Sequence, residues 1–243
     1  MRRVVEARIG YPLPHLYDAI YSYKDYGADA ARLTALIRAR NPSARTLLDV
    51  ACGTGKHLET LQGEFDVEGL DLDEGLLEVA GERLGDVPLQ RGDMRDFDLG
   101  RRFAAVTCLF SAIGHMSDSG ELDAAVATMA RHLEPGGVLI VEPWLEPDVW
   151  IAGRLHLLTV DEPELKVARI TVPEKHGITS VMNFHYLVAT PEGVETHAER
   201  MEHGLFTKDE YRAAFERAGL TTEHDEEGLT GRGLWIGTAA SAA

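Results

Sequence analysis

The chain has 243 residues, 44% of them hydrophobic, enough for one large domain or one domain with a sizeable insertion. Asp and Glu number 40 against 24 Lys and Arg, a formal net charge of −16, and the longest basic clusters are Arg2-Arg3 and Arg101-Arg102, which argues against nucleic acid as a partner. Two cysteines make no disulfide framework, and there is neither an uninterrupted apolar stretch at the start nor a run near about 18 apolar residues, so a reduced, cytoplasmic protein that does not enter the membrane is expected.

Five tyrosines fall between Tyr11 and Tyr26, where two prolines precede a short helix near Leu16 to Ser22. They are either packing at a domain edge or a lid, since a tyrosine joins an apolar ring to a hydroxyl. From Tyr26 to Arg40 apolar residues recur at Ala30, Leu33 and Ile37, a helical stripe stopped by Asn41-Pro42. The next stretch, TLLDVACGTGKHLETL from Thr46 to Leu61, reads as strand, glycine turn and helix. Gly53 and Gly55 permit a left-handed turn and a ligand pressed against the backbone, and the following helix offers free N–H groups to an anionic group. A phosphate loop would need Ser or Thr where His57 stands, and a dinucleotide loop would need a third glycine. The segment resembles instead the D/E-x-G-x-G-x-G signature of class I S-adenosylmethionine (SAM) methyltransferases, with Ala51 in place of the first Gly.

Asp66 to Asp71 reads as a second strand ending in an acid 22 residues beyond Asp49. That is near the spacing of about 20 at which a carboxylate after a second strand meets ribose hydroxyls, whose two donors suit its two acceptor oxygens. Asp73 caps the next helix and leaves Asp71 free for this role. Residues 74 to 84 form that helix, Val87 to Gln90 a short strand, and Gly92-Asp93-Met94-Arg95-Asp96-Phe97 the following turn. Phe103 to Leu109 is a buried strand, and FSAIGHM leaves its carboxyl end, the edge of an open α/β sheet where ligands sit; His115 is therefore the candidate catalytic residue. Glu121 to Leu133 is a helix, Pro135-Gly136-Gly137 a turn, and Val138 to Val141 a fifth strand closing on Glu142-Pro143-Trp144.

From Leu155 to His203 the pattern becomes alternating and β-branched: Lys166 to Val172, Ile178 to Val188 and Val194 to Gly204 suggest a three-stranded antiparallel meander. A helix returns over Phe206 to Gly219, with Thr207 and Glu210 as a capping box, and strands near Leu220 to His224 and Gly233 to Thr238 complete the sheet, the last antiparallel. The fold class is α/β, a Rossmann-like methyltransferase sheet in one domain spanning 1–243, with 155–204 as a small antiparallel β insertion over the substrate pocket.

Taken together, LLDVACGTG, GDMRDF, AVTCLFSAIGHM, EPW and GRGLWIG resemble the N-methyltransferases that act on nucleotide-linked amino sugars in antibiotic biosynthesis, from about Tyr17 to Gly237. That resemblance implies SAM as cofactor, with contacts at Tyr17, Ala51, Gly53, Asp71, Asp93, Met94 and Leu109. Asp93 is then expected to accept from the adenine amino group while the Met94 N–H reaches a ring nitrogen. It implies a dTDP-linked amino sugar as substrate, with Trp144 beside it and Arg232 on its diphosphate; Tyr11 or Tyr17 is expected to help position that substrate. No metal is expected, and a homodimer is the assembly allowed for. The family's tryptophan pair and Phe-Pro become Trp144-Leu145-Glu146-Pro147, and its Ser-His-Ser segment becomes Thr171-Val172-Pro173, so another small amine or hydroxyl metabolite stays open as acceptor. An NAD(P) oxidoreductase, or a SAM-binding protein without catalysis, are the rivals; thermal stabilisation by SAM rather than NAD separates the first, and product release the second.

Overall fold

Strand β1 (Thr46–Val50) lies deep in a sheet because its side chains are buried on both faces. The computed structural model describes residues 14–241. Along the chain follow α1 (Pro14–Ile20), α2 (Tyr26–Arg40), β1, α3 (Lys56–Leu61), β2 (Asp66–Asp71), α4 (Glu74–Leu84), β3 (Leu89–Arg91), β4 (Phe103–Cys108), a 3₁₀ turn (Ala112–His115), α5 (Ser119–Arg131) and β5 (Leu133–Val141). The second half holds β6 (His156–Glu162), β7 (Leu165–His176), β8 (Thr179–Thr190), β9 (Gly193–Gly204), α6 (Lys208–Arg217), β10 (Thr221–Asp225) and β11 (Leu234–Thr238).

The main sheet has seven strands in the order β10-β11-β5-β4-β1-β2-β3. Strands β5, β4, β1, β2 and β3 are parallel, and β11 runs antiparallel to β5, as its sequence position suggested. Apolar side chains of β1, β4 and β5 alternate between two cores. Leu48, Val106 and Leu139 pack with α5 and α6 through Leu122, Met129, Tyr211 and Phe215, while Leu47, Ala105 and Ile140 pack with α2, α3 and α4 through Leu33, Leu58 and Leu84. Burial on both faces is why these strands read as continuous apolar runs rather than alternating ones.

Two local expectations change. The Pro135-Gly136-Gly137 turn lies inside β5, as an irregularity: Phe103 of β4 faces Leu133, but Ala105 faces Val138. The insertion has four strands rather than three, in the order β6-β7-β8-β9, because His156–Glu162 pairs along the outer edge of β7. Only Val160 of β6 is buried, so the strand lacks the alternation by which a half-buried strand is recognised. The inner face of this second sheet, with Val167, Met182, Phe184 and Tyr186, gathers Ile20 of α1 and Trp144 and Trp150 of the segment after β5.

The helix ends follow their caps. Asp25 accepts from Ala28 N at 2.9 Å to start α2, Asp73 accepts from Leu76 N to start α4, and Thr207 with Glu210 forms the expected capping box on α6.

Candidate functional site

The turn after β1 is built from residues of left-handed backbone in alternate positions: Ala51 at φ 60°, Gly53 at 57° and Gly55 at 76°. An alanine in that region costs roughly 1–2 kcal/mol, which explains why glycine is the usual occupant of the place Ala51 fills. At Gly55 a side chain has no room, since a Cβ would lie 2.6 Å from Leu84 Cδ1; α4 closes against the loop there. The loop is held from outside by α1: Thr54 Oγ1 donates to Asp18 at 2.6 Å, and the Arg83 guanidinium bridges Asp18 and the Thr54 carbonyl. This staple fixes α1, with Tyr17 on it and Tyr21 just beyond its end, against the loop. Tyr21 packs at a tilt against Tyr17, ring centres 4.7 Å apart, and meets the Phe110 ring edge-on at 5.1 Å, joining the tyrosine segment to the end of β4. Tyr11 lies outside the described residues.

Asp71, at the end of β2, is buried, and it is not free as the sequence suggested: Gly53 N donates to its Oδ2 at 2.8 Å and Asp73 N to its Oδ1 at 2.9 Å. Two short-range amides claim one lone pair on each oxygen, a link set by backbone geometry that side-chain spacing does not announce. Each oxygen keeps a second lone pair, so a ribose diol still fits. Burial raises the Asp71 pKa, with the amides of Asp73 and Gly53 opposing that shift. Asp93, after β3, is clamped by Arg95, whose Nη2 lies 2.6 Å from Oδ2 and whose Nε lies 2.9 Å from Oδ1; these bonds hold its pKa below the usual carboxylate range. Arg95 is in turn tied to Glu121 of α5. Met94 and Leu109 are buried, each in a different core, so it is the main chain at these positions that can meet a ligand. Gly92 N donates to the Asp71 carbonyl at 2.9 Å, which brings the second and third strand ends side by side.

Beyond β4 the chain turns through Phe110 and Ser111, both left-handed at φ 52° and 62°. Glu142, wholly buried at the end of β5, holds this strained turn: Phe110 N donates to its Oε2 at 2.7 Å. Ser111 Oγ donates to the Pro143 carbonyl at 2.7 Å and accepts from Arg232 Nη1 at 2.9 Å. Thr230 also donates to Glu142, and the Arg232 guanidinium lies 5.1 Å above the Trp144 ring. Strand ends β4 and β5 and the tail before β11 thus meet at one point. Trp144, Arg232 and Lys208 line a cleft there with Glu146 and Glu226.

His115 ends the 3₁₀ turn on the same rim, its ring open to solvent yet deep enough among protein atoms that desolvation lowers its pKa. His203 of β9, which sequence reasoning missed, packs edge-on against His115 at 4.5 Å and against Trp144 at 4.9 Å. Gly114 makes this possible, because a Cβ there would lie 3.1 Å from the His203 ring. Both His203 nitrogens are buried without a hydrogen-bond partner among the described residues, and burial, followed by His115 and Arg232, pushes its pKa well down. Trp144 Nε1 donates to Ser180 Oγ at 2.9 Å, tying the rim to β8 of the insertion. At the front of the loop, Asp49 is buried, accepts from Thr107 Oγ1 at 2.7 Å and has its pKa pushed up to about 6 by burial.

The geometry divides into a cradle at the ends of β1, β2 and β3, suited to a ligand with vicinal hydroxyls, and a rim at β4 and β5 with a neutral imidazole, an indole and a guanidinium. The chemistry of the donor set fits an adenosyl cofactor: a left-handed loop with close backbone, a carboxylate with two spare lone pairs and a second acid one strand further on.

Comparisons with known proteins find close relatives of this chain. The family model described as "Methyltransferase domain" matches residues 47–137, from β1 to the turn within β5. The dTDP-3-amino-3,6-dideoxy-alpha-D-glucopyranose N,N-dimethyltransferase of Streptomyces fradiae is 45% identical over 229 residues, covering 93% of this chain and 90% of that protein. The dTDP-3-amino-3,4,6-trideoxy-alpha-D-glucopyranose N,N-dimethyltransferase of Streptomyces venezuelae is also 45% identical, over 93% of this chain and 97% of its own length. Among solved structures, Streptomyces venezuelae DesVI superposes with a TM-score of 0.90 at 44% identity, covering 95% of this chain and 99% of that one. SAM-bound CalS10, an amino pentose methyltransferase of Micromonospora echinaspora, superposes with a TM-score of 0.85 at 40% identity, covering 97% and 100%.

Proposed function

The chain belongs to the SAM-dependent sugar N,N-dimethyltransferase family, and from that premise we propose that it methylates the amine of a dTDP-linked amino sugar, in two successive transfers. Its cofactor is SAM, which supplies an electrophilic methyl group on sulfur. Among the described residues no helix is long and apolar enough to cross a membrane.

The observation that carries the reading is the convergence of His115, Trp144 and Arg232 on the Ser111 turn, beside the cofactor cradle. Asp71 takes the ribose hydroxyls, and Asp93 with the Met94 main chain takes the adenine edge. Tyr17, on the helix stapled to the loop, would contact the cofactor beside it. Arg232 holds the diphosphate, because a planar guanidinium forks onto phosphate oxygens, and Trp144 supplies a flat wall for the sugar. The insertion 155–204 covers this acceptor pocket as part of a single domain spanning 1–243. Methyl transfer is an in-line displacement, so the protein must align amine, carbon and sulfur and exclude bulk water. A sugar amine arrives largely as ammonium near neutral pH and must lose a proton before it attacks. His115 accepts that proton, directly or through water, and its exposed edge releases it to solvent.

The test is incubation of the protein with SAM and a dTDP-3-amino-3,6-dideoxyhexose, followed by mass spectrometry: products heavier by one and then two methyl groups are expected. Release of S-adenosylhomocysteine only with a different small amine or alcohol would move the acceptor elsewhere in the family's chemistry. Arg232→Ala is expected to raise the KM for the nucleotide sugar about 10- to 100-fold, the loss of one or two charge-assisted hydrogen bonds, with the KM for SAM unchanged. An unaltered sugar KM would remove the diphosphate from Arg232.

A further inference from the structure

We propose that His203 is a positioning residue: its buried ring is the support that fixes the direction of the His115 imidazole. The assignment rests on the reading of His115 as the proton acceptor. A catalytic base is commonly aimed by a further group bonded to it. His115 has no hydrogen-bond partner among the described residues, and its ring stands open to solvent on the rim. Left to itself such a ring swings about χ1 and χ2 among several rotamers, of which few aim a nitrogen at the reacting amine. What His115 does have is a neighbour. The His203 ring meets it at 85°, with centroids 4.5 Å apart, the edge-to-face arrangement that aromatic rings prefer.

The support is itself held in place. Strand β9 lies so close to the 3₁₀ turn that a glycine is needed on each side of the contact. A Cβ on Gly114 would lie 3.1 Å from His203 Cγ and 3.0 Å from Trp144 Cβ, and one on Gly204 would overlap the Met116 carbonyl oxygen. Trp144 packs edge-on against His203 at 4.9 Å, and its Nε1 donates to Ser180 Oγ, which in turn donates to the His203 carbonyl at 3.0 Å. Ser180 is also the residue that faces His203 in the pairing of β8 with β9. The ring is thus boxed in by the 3₁₀ turn, the segment after β5 and the end of the insertion.

Stability does not account for a histidine at this place. Both ring nitrogens are buried without a partner among the described residues, a cost that an apolar side chain of similar size avoids. Nor is His203 a second base, because neither nitrogen reaches solvent, and burial, followed by His115 and Arg232, drives its pKa well down. What the position supplies is a flat, neutral ring beside His115. The two glycines show that space is short there, and a five-membered ring is the smallest aromatic one.

A double-mutant cycle on kcat decides the assignment. His203→Leu fills the space without a ring and removes the unpaired nitrogens. It is expected to lower kcat about tenfold, a part of the loss expected for His115→Ala, with the KM for SAM unchanged. In the His115→Ala background the same substitution is expected to cost nothing further, because the side chain it aims is gone. His203→Gln, polar and likewise without a ring, is measured beside it with the same result expected, so that poor folding of one variant leaves the other to decide. Wild-type kcat in the His203 variants, or the same tenfold loss repeated on top of His115→Ala, would mean that His203 does not act through His115. An unchanged kcat in His115→Ala itself would instead remove the base reading, and this assignment with it.

Discussion

Asp71→Ala is expected to weaken binding of S-adenosylhomocysteine about 100- to 1000-fold, as measured by calorimetry, with a matching rise in the KM for SAM. Two effects add. The ribose loses two hydrogen bonds to a charged acceptor, each worth about 1.5–3 kcal/mol, and the Gly53 and Asp73 amides lose the oxygens that set the loop before ligand arrives. Asp71→Asn separates the two, because an amide oxygen can still accept from one backbone N–H while the charge is gone; an intermediate loss is expected. The fold should survive, since burial already raises the Asp71 pKa and so disfavours its ionised form. Wild-type affinity in Asp71→Ala would mean that the ribose lies elsewhere, and the cradle described above with it.

The second large effect is expected at His115. Its pKa is lowered from the usual 6.5 by desolvation, so the imidazole is neutral, and able to accept a proton, at every pH above that range. The kcat/KM profile of the wild type should therefore climb with pH through a limb whose midpoint lies below 6.5, and this group should impose no further change at neutral pH. His115→Ala is expected to lower kcat about 100-fold, in the range seen when a positioned acid or base is removed, and to abolish that acid limb while leaving any alkaline limb that belongs to the substrate amine. Unchanged turnover with an unchanged profile would make His115 a wall of the pocket. The same direction of shift has a consequence for stability. His115 and His203 both bind protons more weakly in the folded than in the unfolded chain, so their contribution is complete above about pH 6.5 and is lost as pH falls below it.

The cradle was legible residue by residue. An apolar run ending in Asp49, glycines at fixed offsets and an acid at the end of the next strand each have a local reason, and the left-handed angles at Ala51, Gly53 and Gly55 are that reason made visible. The rim was legible only as separate fragments. EPW, GRGL and the segment around Phe110 lie far apart in the chain, and nothing local says that Glu142 holds the Phe110 amide while Arg232 reaches Ser111. His203 gave no signal at all: it ends a strand of mixed polarity, and its meaning comes from the ring packed beside it.

By itself, then, the sequence determined the α/β class, the glycine loop and the acids that follow the second and third strands, because hydrophobic period, backbone freedom and helix capping act over a few residues and are written in them. The tertiary structure alone decided which charges meet across the ends of β4, β5 and β11, and that the edge strand β6 joins the insertion. Such contacts depend on strand order and on what is excluded from water when distant segments pack, and neither quantity exists until the sheet has closed.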